Sequence, residues 1–335
     1  LPGVDDLFCE NICMEKPIVA ILCGGLTAER NISLESGEIV FQHLDRERFE
    51  PYKILINDDG WFEAQTGARL DLNTFSFQLK DEQIRPDRVF MAIHGSPGED
   101  GKIQGYLDMQ GISYTCCDTV VSSVTFNKTF CKEILRDKVT MARGVVVKPG
   151  ELSLLNEIRD TYTLPVFVKP NNNGSSYGIT KVQDWLKLEP ALEEGFHYDH
   201  EILVEEGITG TEVTCGVYRH QGEIVVLPLC EVRAGTHDFF NYTAKYTAGE
   251  SQEIIPAPIP EQDAEAVRNV SSAIYSYLGC RGIVRIDYII AGGTPHFLEV
   301  NTVPGLSAAS IVPQMARASG LSLTEFFTRL LDETL

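Results

Sequence analysis

The stretch Arg285-Ile286-Asp287-Tyr288-Ile289-Ile290-Ala291-Gly292-Gly293-Thr294-Pro295-His296-Phe297-Leu298-Glu299-Val300-Asn301 constrains this chain more than any other. Two β-rich runs flank an Ala-Gly-Gly-Thr turn signal, which predicts antiparallel strands joined by a tight loop. With the loop centred on Gly293, Asp287 falls opposite Glu299, and Arg285 falls opposite Asn301. Residues two apart in a strand share a face, so these four side chains project together. Two facing carboxylates repel, and one would ordinarily be forced to protonate. A divalent cation removes that penalty. Oxygen donors from Asp, Glu and Asn suit Mg²⁺, with phosphates as its remaining ligands and Arg285 serving a developing negative charge nearby. The alternative is an exposed hairpin with an ordinary polar face. The flanking Ile, Val and Leu residues and the Pro304-Gly305 turn weigh against it.

A chain of 335 residues suits two or three domains of ordinary size. Its 43% hydrophobic and 23% charged residues are typical of a globular soluble protein, and no run approaches the apolar length of a membrane span. The net charge of −20 argues against a broad nucleic-acid or anionic-membrane surface, which needs clustered Lys and Arg. A small nucleotide in a local basic pocket stays compatible with it. Nine cysteines without a C-x-x-C pair or zinc spacing point to reduced thiols in a cytosol. Adjacent Cys116 and Cys117 read as small core residues ahead of a redox pair. Residues 1–13 lack periodicity, whereas Met14-Glu15-Lys16-Pro17 leads into the apolar run Ile18 to Leu22. Met14 is therefore expected to be the original start, and 1–13 an extension without a part in the chemistry.

From Ile18 to about Asp118 the pattern alternates: a strand to Leu22, a helix from about Ser33 to Leu44, and strands at Tyr52 to Ile56 and Arg88 to Ile93. This order predicts a parallel sheet with helices on its faces. Ligands bind such sheets beyond the carboxyl ends of the strands, where Gly24-Gly25 and His94-Gly95 fall. A second unit, to about Ile202, carries a helix near Lys128 to Leu135, the strand Val166 to Lys169 and the loop Asn171-Asn172-Asn173-Gly174-Ser175-Ser176-Tyr177-Gly178. A third is strand-rich before its closing helices and holds the hairpin. Internal repeats are absent.

The loop after Lys169 can line an anion concavity with its backbone N–H groups, Lys169 adding a point charge. It is neither a Walker A loop nor a dinucleotide fingerprint, and a solvated hairpin tip explains it equally well. Lys128, Lys169 and Lys245 are candidates for a triphosphate. Glu205 and Glu212 could address an adenine amine and ribose hydroxyls, although isolated acids are usually solvated. His94, followed by a glycine-dense stretch at the end of a buried strand, is usable for an anionic substrate.

Together these segments resemble the D-alanine–D-alanine ligases of the ATP-grasp superfamily. The resemblance runs from about Lys16 to the C-terminus. It rests on Gly24-Gly25 with Ala28 to Leu34, on His94-Gly95 through Gly98-Glu99-Asp100-Gly101 and Gln104-Gly105, and on Val168-Lys169-Pro170 with Gly174-Ser175-Ser176-Tyr177-Gly178. Ala244-Lys245-Tyr246, Arg285-Ile286-Asp287 and Glu299-Val300-Asn301-Thr302-Val303-Pro304-Gly305-Leu306-Ser307 complete it. It implies an α/β chain: an N-terminal Rossmann-like parallel domain (14–118), then a two-lobed α+β ATP-grasp fold with a small lobe or lid (119–203) and a C-terminal lobe with the metal site (204–335). The implied reaction joins two D-alanines through a D-alanyl phosphate, consuming ATP, for peptidoglycan precursors in the cytoplasm. Formation of D-alanyl-D-lactate, or another D-alanine carboxylate ligase activity on the same scaffold, is the alternative.

Residue by residue, the resemblance gives Glu29, Ser175 and Tyr246 as a hydrogen-bonded triad, with Glu29 holding the first ammonium. It gives Arg285 and Gly305 to the oxyanion, and His94 to the first substrate. Ser310 and Ile311 go to the second substrate's carboxylate. Lys128, Lys169 and Lys245 serve phosphates; Glu205, Glu206, Ile208 and Glu212 serve ATP as well. Asp287, Glu299 and Asn301 hold Mg²⁺, with Mn²⁺ as a substitute. A homodimer is implied. No nucleic acid or membrane partner is expected. Glu99 receives only a supporting role. The chain departs from the family pattern at Tyr114-Thr115-Cys116-Cys117, at Ile311 and at Asn171-Asn172-Asn173, none of which removes a catalytic group.

Overall fold

The computed structural model describes residues 16–151, 153–172, 174, 177–235 and 251–334. The segment 1–13 and the candidates Ser175, Lys245 and Tyr246 lie outside the described residues.

Three sheets follow one another along the chain. The first contains β1 (Ile18–Gly24), β2 (Glu50–Asn57), β3 (Gly60–Glu63), β6 (Arg88–Met91) and β7 (Ser113–Tyr114), in the order β3-β2-β1-β6-β7. A small separate hairpin, β4 (Phe77–Leu79) with β5 (Glu82–Ile84), precedes β6. The expected parallel sheet is present in β2-β1-β6-β7, and β3 adds an antiparallel edge that periodicity did not reveal. The apolar run of β1 is buried on both faces, as central parallel strands require. Helix α1 (Arg30–His43) packs on it through a face of small residues, Ser33, Ser36, Gly37 and Val40. A Cβ on Gly37 would come within 2.5 Å of the Cys23 Cβ, so only glycine permits this approach. Ser33 Oγ accepts the Gly24 N–H at 2.9 Å and donates to Ala92 O at 2.6 Å, tying the ends of β1 and β6 together. The helix α2 (Lys102–Gln110) follows the His94 corner.

After α3 (Thr119–Phe126) and α4 (Lys128–Leu135) comes an antiparallel sheet of β8 (Gly144–Val147), β9 (Val166–Pro170), β10 (Thr180–Val182) and β11 (Ile202–Glu206), in the order β10-β9-β11-β8. It is covered by α5 (Leu154–Thr161) and α6 (Leu188–Gly195), whose Leu155, Ile158 and Leu192 share a core with Val166, Val168, Ile202 and Val204.

The third sheet is built on β12 (Thr211–His220). β13 (Glu223–Val226), β14 (Cys230–Arg233), β15 (Gln252–Ile254), β16 (Val284–Ala291) and β17 (Thr294–Asn301) complete it, in the order β15-β14-β12-β16-β17 with β13 paired to β12. One face packs Val213, Cys215, Ile286 and Tyr288 under α7 (Glu261–Leu278). The other packs Tyr218, Cys230 and Val232 against α8 (Ile311–Ala318) and α9 (Leu323–Asp332), which also meet Val19, Val40 and Phe90 of the first sheet. In β16 buried and half-buried residues alternate, which sends Arg285 and Asp287 to the second face.

The hairpin register has an instructive detail. Gly292 and Gly293, both at positive φ, form a two-residue turn closed by Ala291 opposite Thr294. Continued regularly, that ladder would put Glu299 opposite Ile286, whose side chain belongs to the core under α7. Instead Tyr288 pairs with Phe297 and Asp287 with Glu299, leaving Leu298 as the extra residue of a β-bulge. The bulge returns Glu299 to Asp287 and Asn301 to Arg285, the pairing read from the sequence.

Candidate active site

Asp287 is held on three sides. Arg285 donates to it from Nε at 2.9 Å and Nη2 at 2.8 Å, Asn301 Nδ2 donates at 3.1 Å, and the hydroxyl of Thr214, opposite it on β12, donates as well. Glu299 has a different cation, Lys128 Nζ, 3.6 Å from Oε2. The repulsion that a divalent cation was expected to remove is already lowered within the chain by arginine and lysine. The donor set still fits a small hard cation, because carboxylates and an amide oxygen share one face at the edge of a cleft.

That cleft lies between the second and third sheets. Lys128, Lys169, Glu205, Glu206, Ile208, Glu212, Asp287 and Glu299, all candidates from sequence, line it together. Lys132, which sequence reasoning missed, lines it too, one helical turn beyond Lys128. Glu205, 2% exposed, bridges Lys132 and Lys169, the latter at 2.7 Å. Burial alone would push its carboxyl up; Lys169 and Lys132 together hold it down at about 2. Burial likewise opposes the charge on Lys169, and Glu205 overcomes it to leave the lysine above its ordinary value. The Glu205 carboxylate therefore aims lysines. Glu206 turns to Arg143 at the rim, accepting from Nε at 3.0 Å and Nη2 at 2.8 Å. Phe167, Ile179, Ile208, Ile289 and Leu298 supply apolar walls that suit a flat heterocycle.

Asn171, fully buried, fixes the start of the loop after β9. Its Oδ1 accepts from Thr129 N–H at 2.9 Å and its amide donates to Glu201 at 3.0 Å, while its carbonyl takes the Lys128 N–H at 3.1 Å. The first of the three asparagines thus locks Lys128 and Lys169 into one frame.

His94 is 4% exposed, and both ring nitrogens are engaged. Nδ1–H donates to Val303 O at 2.8 Å, and Nε2 lies 2.9 Å from Ser36 Oγ, which accepts the Leu306 N–H at 3.0 Å. Burial holds the imidazole below its ordinary value, so Nε2 accepts from Ser36. The sequence placed His94 beside the substrate; here its nitrogens serve the loop that carries Gly305. Glu99 grips the same loop, accepting the Val303 N–H at 3.0 Å and the Gly95 N–H at 2.8 Å. Burial pushes its carboxyl up to about 7, with Glu29 adding to the effect. Glu99 and Ser36 are the residues here that sequence reasoning undervalued.

Between the gripped residues, a Cβ on Gly305 would come within 2.7 Å of Ser310 Oγ. Ser310 stands at the N-cap position of α8 without a capping hydrogen bond from its side chain, and its hydroxyl lies 2.8 Å from Ser307 Oγ. Ile311 is 7% exposed and its side chain joins the core with Val312 and Met315. Its backbone at the helix N-terminus is what remains to attract a carboxylate. Glu29 stands at the N-cap of α1. A Cβ on Gly95 would lie 2.7 Å, and one on Gly174 2.9 Å, from Glu29 Oε2, so both glycines come close to this acid.

Among the described residues seven cysteines are buried and unpaired, including Cys116 and Cys117. No helix among them is long and apolar enough to cross a membrane.

Comparison with known proteins gives a consistent result. Residues 18–117 match the D-ala D-ala ligase N-terminus family and residues 139–332 the D-ala D-ala ligase C-terminus family. The chain is 42% identical over 321 residues to a D-alanine–D-alanine ligase of Azobacteroides pseudotrichonymphae, covering 94% of this chain and 98% of that protein. A D-Ala:D-Ser ligase from Enterococcus faecalis superposes with a TM-score of 0.86 at 30% identity, covering 96% of this chain and 100% of that one. A D-alanine–D-alanine ligase from Bacillus anthracis complexed with ATP superposes with a TM-score of 0.77 at 28% identity, covering 95% and 97%.

Proposed function

This chain belongs to the D-alanine–D-alanine ligase family, and from that premise we propose that it consumes ATP to join two D-alanines for peptidoglycan precursor synthesis. The observation that carries the reading is the convergence of Lys128, Lys169, Asp287 and Glu299 on one cleft that borders Arg285. A lysine wall faces an acidic wall, as a triphosphate and its counter-ion require.

The carboxylate of the first D-alanine attacks the γ-phosphorus, breaking the bond to ADP and forming D-alanyl phosphate. The amine of the second then attacks the acyl carbon, and phosphate leaves. Lys128, Lys169 and Lys245 hold the phosphates, and Lys132 does so alongside them. Asp287, Glu299 and Asn301 would hold Mg²⁺, with Mn²⁺ as a substitute, and the ion's charge would screen the triphosphate from the approaching carboxylate. Arg285 and the Gly305 N–H meet the tetrahedral oxyanion. Glu29 takes the first ammonium and, with Ser175 and Tyr246, closes the small lobe over the N-terminal domain so that water does not reach the acyl phosphate. His94 acts by positioning the Gly305 loop. The family reading brings with it a cytoplasmic homodimer, which light scattering on the purified protein tests.

Phosphate release should require ATP, Mg²⁺ and D-alanine together, with D-alanyl-D-alanine seen by mass spectrometry. Equal release with L-alanine, or none with either, overturns the proposal.

A further inference from the structure

The third sheet continues past the nucleotide cleft, and its register carries one more acid to the reactive face. Asp287 pairs with Thr214, Thr214 with Cys230, and Val232 with Glu253. Opposed residues share a face, as do residues two apart, so Glu253 on the edge strand β15 lies on the face of Arg285 and Asp287. Helix α8 covers that face: a Cβ on Gly216, opposite Arg285, would come 3.2 Å from Met315 Sδ.

One turn after Ser310, Gln314 donates from Nε2 to Glu253 Oε2 at 2.7 Å and to Ala309 O at 2.8 Å. The half-buried carboxylate is thus aimed by a neutral amide. Burial pushes it up; the Gln314 hydrogen bond and the Arg285 charge pull the other way. This differs from Asp287, whose charge is taken by a bidentate arginine. Glu253 borders the α8 N-terminus, where the acceptor's carboxylate docks, and Arg285 lies near enough to act on its charge.

We infer that Glu253, aimed by Gln314, seats the ammonium group of the arriving second amino acid, accepts the proton that this nitrogen must lose before the amine attacks the acyl carbon, and so selects an amine acceptor over a hydroxy acid. The inference rests on the ligase reading and deepens it. An amino acid seated by its carboxylate at Ser310 and Ile311 offers a positive charge to Glu253. A hydroxy acid in the same seat offers no positive charge to the half-buried carboxylate, which works as discrimination against it.

The test compares wild type with Glu253→Gln, Glu253→Asp and Gln314→Leu. D-alanine and D-lactate compete as acceptors, with the first D-alanine and ATP saturating, and products are resolved by mass spectrometry. For Glu253→Gln the acceptor KM for D-alanine should rise about tenfold, the size of one charge-assisted hydrogen bond. The D-alanyl-D-lactate to D-alanyl-D-alanine ratio should rise by about as much, with the KM for ATP unchanged. Glu253→Asp should restore part of the preference, and Gln314→Leu, which keeps the charge but not its aim, should fall between. A product ratio and acceptor KM within twofold of wild type in Glu253→Gln overturn this inference alone. A wild-type protein inert toward ATP and D-alanine overturns the ligase reading, and this inference with it.

Discussion

Asp287 and Glu299 stand directly opposite each other across β16 and β17, and each is matched to its own cation, Arg285 for one and Lys128 for the other. The two pairings differ in kind. Arg285 grips Asp287 with two hydrogen bonds, whereas Lys128 stays at 3.6 Å from Glu299. A lysine at that distance can turn to an arriving phosphate while Arg285 keeps its place.

Substituting Asp287 by Asn should leave the fold intact and lower turnover by at least about a hundredfold, since it replaces the charged carboxylate proposed to hold Mg²⁺ by a neutral amide and loosens Arg285 from its brace. Coupled phosphate release together with a melting curve checks this. Chelation of divalent ions should abolish turnover in wild type, and added Mg²⁺ should restore it.

Glu205 gives the chain an acid-labile point. Its carboxyl moves from 4.5 to about 2 on folding. Its stabilisation is therefore complete above the unfolded value and is lost as pH falls from 4.5 toward 2. By linkage that amounts to roughly 3 kcal/mol. Glu205→Gln should lose this pH dependence in urea titrations, be less stable at pH 7, and raise the KM for ATP through misplaced Lys132 and Lys169.

Gly305→Ala should damage catalysis more than stability. The added methyl meets the Ser310 hydroxyl at 2.7 Å, so either the loop or the Ser310 side chain must give way. The expected result is a drop in kcat of about tenfold or more, with a higher acceptor KM and an ATP KM close to wild type. An unchanged kcat would show that this contact is not part of the reactive geometry.

Glu99→Ala leaves two buried N–H donors, on Gly95 and Val303, without their acceptor. Each such loss costs about 1–3 kcal/mol, so chemical denaturation should register a drop of that order or larger. Glu99→Gln should rescue only one of the two bonds, because an amide has a single acceptor oxygen.

Much of this site was legible because its parts are local. The hairpin announced itself through β-rich runs around two glycines, and its face-sharing followed from a period of two. Even so, a loop centred on Gly293 matches the observed pairing only because Leu298 bulges out; the actual turn is centred between Gly292 and Gly293. Contacts distant in sequence were hidden. Lys132 looks like a surface lysine until Glu205, 73 positions away, is brought beneath it. His94 looks like a ligand until Val303, 209 positions away, takes its Nδ1–H. Glu253 required the pairing of four strands before its face could be assigned. The roles of Ser175 and Tyr246 were readable only by kinship, and both residues, with Lys245, lie outside the described residues.

The extra residue in β17 has a further effect. In a regular strand, neighbours along the chain look in opposite directions, so an oily group and a charged one in sequence could not both greet the same guest. Here Leu298 and Glu299 both border the nucleotide cleft. A single irregular step lets adjoining positions divide the work, one offering a greasy surface for a ring and the other an anion for a counter-ion. Straightening that strand by deleting Leu298 would keep the acid in register and strip away the wall beside it.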